Sequence, residues 1–160
     1  MDNSVQNGWI MQINISKGGV PKNAVQEVEV TFDGLVGDQH NDRVSHGGPD
    51  QAVCLYSVEL IQALQAEGHT IFPGAAGENV TLEGVAWEAI QPGRQLYLGS
   101  EVLLEITDYT TPCTKMVPYF KAGDFNRISQ LKNPGWSRVY ARVLSPGSLC
   151  TGQEVSLLNL

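Results

Sequence analysis

The sequence has little charge, and most of what it has is of one sign. Only 17% of the 160 residues are Asp, Glu, Lys or Arg, and 10 basic residues against 17 acidic ones leave a formal net charge of −7. A shortage of Lys and Arg argues against a generic nucleic-acid binder, which works by neutralising phosphates. Long hydrophobic runs are also missing. No segment approaches the roughly 20 apolar residues of a membrane helix, and Met1 to Gly8 carry no basic leader. The expectation is a soluble, unexported protein of the cytoplasm with no nucleic-acid or membrane partner. Cysteine is scarce. Cys54, Cys113 and Cys150 are odd in number and widely spaced, which offers neither a disulfide framework nor a C-x-x-C zinc site and suits a reducing compartment. No G-x-S-x-G elbow, Walker loop or G-x-G-x-x-G run is present, so serine-hydrolase and nucleotide-binding chemistry has no specific support.

What is there is 42% hydrophobic residues, 17 Gly and 8 Pro, spread without repeat or linker, which suits one domain over residues 1–160. Most segments read as short strands, with β-branched and aromatic residues at period two between Gly, Pro, Asn and Asp clusters. Trp9 to Ile15 alternates in this way. Val25 to Phe32 places Val28, Val30 and Phe32 on one face, and Ala52 to Tyr56 is apolar enough for a buried strand. Ser57 is a natural N-cap for a helix over Val58 to Glu67 that Gly68 ends. Asn79 to Leu82 is a short strand, Arg94 to Leu98 and Val102 to Tyr109 form a hairpin, and Val139 to Leu144 and Glu154 to Leu158 complete the set. A second short helix is expected from Pro112 to about Lys121. Many strands with few helices predict a mainly β fold, a closed or nearly closed β-barrel that leaves no exposed sheet edges.

Three stretches could carry chemistry. Residues Gly34 to Asp50 form a long polar segment containing His40, His46, Arg43, Asp38, Asp42 and Asp50. A segment of this length suits ligand binding, or a loop stapled by its own Asp–Arg pairs, and the spacing of His40, Asp42 and His46 matches no compact zinc motif. Pro73 to Val80 puts Glu78 and Asn79 after small residues at a strand start, an arrangement that recognises a heterocycle or simply caps its own turn. In Thr110 to Met116, Thr110 or Thr111 can cap a helix carrying Pro112 in its first turn. That places Cys113 at a positive helix end near Lys115, where a thiolate is favoured. Cys54 reads as a core residue. Charge is uneven along the chain: Lys115 to Arg142 holds six basic residues and one acidic residue, net +5, which leaves −12 elsewhere. Such a segment can build one small anion pocket, or its side chains can be separately solvated.

Taken in order, Gly34-Leu-Val-Gly-Asp38, Arg43-x-x-His46-Gly-Gly-x-Asp50-x-Ala52-Val53-x-x-Tyr56, Pro73-Gly-x-x-Gly77-Glu78-Asn79 and Thr111-Pro112-Cys113 resemble the MOSC domain family, homologues of the C-terminal domain of molybdenum cofactor sulfurase. The chain is most similar to small stand-alone bacterial members, over about Val28 to Leu157. The resemblance implies a MOSC-like barrel related to the pyruvate kinase β-barrel, and a molybdenum cofactor (molybdopterin) as ligand. Cys113 inherits the roles of catalytic residue and molybdenum ligand. Arg43, His46, Gly47, Gly48, Gly77, Glu78 and Asn79 inherit cofactor binding. Lys115, Arg138 and Arg142 join them as anion partners on charge and position. The implied activity is reduction of N-hydroxylated compounds, a small-molecule substrate, with electrons from an external donor. The alternative is a sulfur carrier that holds a persulfide on Cys113 after loading by a desulfurase. Larger relatives attach pyridoxal-phosphate or iron–sulfur domains, for which this chain has no room.

Overall fold

A computed structural model describes residues 5–39 and 48–159, with side chains from position 8 onward. The period-two segments form strands β1 (Val5–Ile15), β2 (Asn23–Val25), β3 (Glu27–Thr31), β4 (Gly34–Leu35), β5 (Val53–Ser57), β6 (Val80–Glu83), β7 (Gln95–Leu98), β8 (Val102–Tyr109), β9 (Val139–Ser145), β10 (Gly147–Cys150) and β11 (Glu154–Leu157). Seven of them close a barrel in the order β11-β7-β8-β9-β5-β6-β1, with β1 pairing back onto β11 and β2 added alongside β1. Closure removes the sheet edges, as the sequence led us to expect. A small second sheet runs β10-β3-β4.

Strands β5 and β6 are parallel, with Leu55 opposite Val80, whereas the other described pairs are antiparallel. A parallel pair requires a crossover, and helix α1 (Val58–Ala66) supplies it. Ser57 Oγ accepts from Leu60 N at 3.2 Å, and Ile61 and Leu64 are fully buried against the barrel. Gly68, at φ +103°, ends the helix in a conformation a side chain would strain. Inside the barrel Leu55, Leu82, Leu96, Leu98 and Leu104 are fully buried, each worth about 1.5–3 kcal/mol relative to exposure. Among the described residues no helix is long and apolar enough to cross a membrane.

Three expectations fail. Phe32 does not share the buried face of Val28 and Val30: β3 stops at Thr31, whose Oγ1 accepts from Asp33 N at 3.1 Å, and the resulting turn leaves Phe32 58% exposed. The helix expected from Pro112 is instead a 3-10 turn, Thr114–Tyr119, with Pro118 inside it. Proline lacks the N–H that an extended helix would use there. Strand β10, which pairs with β3, lies between Val139–Leu144 and Glu154–Leu158, where the sequence reading placed no strand.

Candidate functional site

Asn79, at the start of β6, organises one wall of a pocket. Its N–H donates to Cys54 O at 2.7 Å, its Oδ1 accepts from Cys54 N at 2.9 Å, and its Nδ2 donates to Asp38 Oδ2 at 2.9 Å. Asp38 in turn accepts from Lys22 Nζ at 2.7 and 2.8 Å and from Ser16 N at 2.9 Å. The Lys22 and Asp38 side chains are nearly sealed from water, 7% and 2% exposed. Four segments distant in sequence, at Ser16–Lys22, Asp38, Cys54 and Asn79, are thereby tied together.

Just before Asn79, a turn is held from inside by Glu78. Its Oε2 accepts from Gly74 N at 3.0 Å and from Thr81 Oγ1 at 2.9 Å. The carboxyl is fully buried, and burial pushes it above the usual carboxylate range. Gly74 adopts φ +90° with Lys22 O only 2.5 Å from where a Cβ would sit, so glycine alone fits. Ala76 O, within this turn, accepts from Arg138 Nη1 at 2.6 Å.

The opposite wall comes from β9 and the segment after β8. Cys54 on β5 lies directly across from Tyr140 on β9, which puts the two side chains on one face of the sheet. Cys54 Sγ is 3.7 Å from Thr110 Oγ1. Burial pushes the Cys54 thiol up, opposed by the Arg138 charge, and burial likewise pushes the Tyr140 phenol well above its ordinary value. Cys113, half-buried, stands at the cap of the Thr114–Tyr119 turn. Neither Thr110 nor Thr111 caps that turn, because the Thr110 hydroxyl is directed to Cys54 and Cys113 itself occupies the cap position. Arg138 is 4% exposed, and its Nε and Nη2 have no hydrogen-bond partner among the described residues.

These walls line an open-mouthed pocket of about 90 Å³. Of the sequence candidates, Gly77, Asn79, Cys113, Lys115 and Arg138 line it together. Glu78 sits behind the wall as a staple. Gly48 precedes the 3-10 turn Pro49–Gln51 and is not part of the lining. Arg142, also outside the lining, has Nε 3.3 Å from Asp50 Oδ1, on a side chain 43% exposed. Arg43, His46 and Gly47 lie outside the described residues, as do His40 and Asp42. The +5 segment is therefore only partly an anion pocket: Lys115 and Arg138 reach the cavity, whereas Arg127 grips Glu67 at 2.9 and 2.7 Å and lies 4.0 Å over the Trp136 ring.

The lining also includes Lys22, Cys54, Met116 and Tyr140, which the sequence reading did not place in a site. Cys54 is a core residue by burial, at 6% exposure, yet it also lines the cavity. Its strand is covered on both faces, and a uniformly apolar run carries no sign of which face borders a pocket. Among the described residues no three His, Cys, Asp or Glu side chains converge as a metal site. The arrangement offers soft sulfur, the Lys115 ammonium and the buried Arg138 guanidinium with N–H groups to spare. That combination accepts an anion beside a soft centre.

Comparison with known proteins agrees with the geometry. The MOSC domain family model matches residues 42–156. The chain is 29% identical over 146 residues to the Bacillus subtilis protein YflK, covering 91% of this chain and 65% of that protein. It is 32% identical over 131 residues to a Gibberella moniliformis protein named "Reductase", of which it spans only 23%. Among solved structures, YiiM from Geobacillus stearothermophilus superposes with a TM-score of 0.73 at 25% identity, over 94% of this chain and 75% of that one. The chain thus spans less than two thirds of the length of these two sequence relatives.

Proposed function

Because the chain belongs to the MOSC domain family, we propose that its pocket binds a molybdenum cofactor with Cys113 as the metal ligand, and that the protein reduces N-hydroxylated compounds with electrons from an external donor. The observation that carries this reading is the pairing of Cys113 with Arg138. A guanidinium buried to 4% exposure with two nitrogens unpartnered among the described residues calls for an anion, and a thiol on the same pocket suits a soft metal. The residues present therefore fit a group that joins a metal to a phosphate-bearing pterin.

When bound, the cofactor would supply a redox-active metal with an open coordination position. The chain's own residues do the rest. Cys113 would ligate the metal through its sulfur. Arg138, tethered by one nitrogen to Ala76 O, keeps Nε and Nη2 for the phosphate, and Lys115 adds a second cation. Asn79 is a positioning residue, since its amide is already engaged by Cys54 N and Asp38. Lys22 contributes no net charge while Asp38 neutralises it.

A second reading, a sulfur carrier loaded by a desulfurase, draws on the same cations, because Arg138 and Lys115 would stabilise an anionic persulfide on Cys113. Incubation of cofactor-loaded protein with an N-hydroxylated amine and a reduced artificial donor separates the two. Amine formation by wild type and none by Cys113→Ser supports the reductase. No amine formation, together with one added sulfur on Cys113 after desulfurase treatment, replaces it with the carrier.

A further inference from the structure

Three sulfur atoms belong to residues lining one pocket, and the proposed function uses one of them. Cys54 enters from β5, while Cys113 and Met116 come from the opposite wall. Met116 N donates to Cys113 O at 3.0 Å, which ties the two residues together across the first turn that Cys113 caps. Met116 is 2% exposed and Cys54 6%, so these sulfurs are held away from bulk water. The Cys54 backbone is clamped on both sides by Asn79.

We infer that Cys54, Cys113 and Met116 form a binding site for a soft monovalent cation, the cuprous ion. The donor set selects the metal. Thiolate and thioether sulfurs favour cuprous ion, whereas magnesium and calcium require oxygen ligands and closed zinc sites take four ligands. Asp38, the carboxylate tied into this wall, has both oxygens engaged by Lys22, Asn79 and Ser16 and is not free to serve a hard dication.

Charge points the same way. Binding one cuprous ion to two thiols releases two protons and leaves a bis-thiolate complex of net charge −1, with no change in oxidation state. Arg138 and Lys115 on the same pocket stabilise that anion, and they oppose a hard divalent ion held by few ligands.

The test is an anaerobic titration of the full chain, purified from a host unable to make the molybdenum cofactor, with cuprous ion against a chromogenic cuprous chelator. Copper-edge X-ray absorption then identifies the neighbours of the metal. The expected result is one ion per chain surrounded by sulfur alone, with more than one sulfur neighbour. Affinity should fall at least about tenfold in Cys54→Ser and in Cys113→Ser, fall less in Met116→Leu, and stay unchanged in Cys150→Ser. Failure to compete with the chelator, a single sulfur neighbour, or a folded Cys54→Ser variant that binds as tightly as wild type would overturn the inference. If Cys54→Ser does not fold, the sulfur count in the wild-type spectrum still decides.

Discussion

Asn79 and Cys54 are bound to each other twice, backbone N–H to carbonyl at 2.7 Å and side-chain Oδ1 to backbone N–H at 2.9 Å. This pair of hydrogen bonds fixes where β5 meets β6 and therefore where Cys54 stands relative to the rest of the pocket. The remaining amide hydrogens of Asn79 reach Asp38 and, at 3.4 Å, Asn14 O, so one side chain fastens three parts of the chain.

Replacing Asn79 with Ala leaves the buried Cys54 N–H without a side-chain acceptor and removes one of the groups holding Asp38. The expected loss of stability is about 1–3 kcal/mol for each buried group left unsatisfied. Urea denaturation checks it. An unchanged midpoint would show that the pocket wall does not depend on this amide.

Lys22 and Asp38 form an ion pair sealed from solvent, and removing one partner strands the other charge. Asp38→Asn is expected to cost about 3–5 kcal/mol, while the double variant Lys22→Met with Asp38→Asn costs less than the sum of the two single changes. The double-mutant cycle by chemical denaturation reads the difference directly.

Glu78 gives a pH signature. Burial raises its folded-state pKa above the unfolded value of about 4.3, so its contribution to stability is fully present below that pH and is lost as pH rises through the raised folded value. The gap in stability between Glu78→Gln and wild type should therefore shift in favour of Gln as pH rises across that window. Parallel stability curves for the two proteins would show that Glu78 titrates as it does in the unfolded chain.

Arg138→Met removes both the tether to Ala76 O and the cation facing the pocket. Cofactor retention on gel filtration should drop by on the order of tenfold or more, the worth of one charge-assisted hydrogen bond. Lys115→Gln, at an exposed position, should lose less.

The parts of the fold that follow local rules were legible in the sequence. Ser57 capping α1, the apolar run of β5 and the hairpin of β7 and β8 each follow from a short pattern, and the barrel follows from their number. The Phe32 turn was not, because a side chain that continues the alternation leaves the sheet once Thr31 bonds its own turn. At the site, Cys113, Asn79, Lys115 and Arg138 could be named from motif and charge. Asp38 and Cys54 meet Asn79 across 41 and 25 positions, and Lys22 meets Asp38 across 16. No local pattern encodes such encounters.

The most direct test of the central proposal is the molybdenum and pterin content of the chain purified from a host that makes the cofactor, wild type beside Cys113→Ser. The account expects molybdenum and pterin together in wild type, approaching one of each per chain, and molybdenum lost from the Ser variant. Wild-type protein free of both, while a control molybdenum enzyme from the same cells is fully loaded, would contradict it.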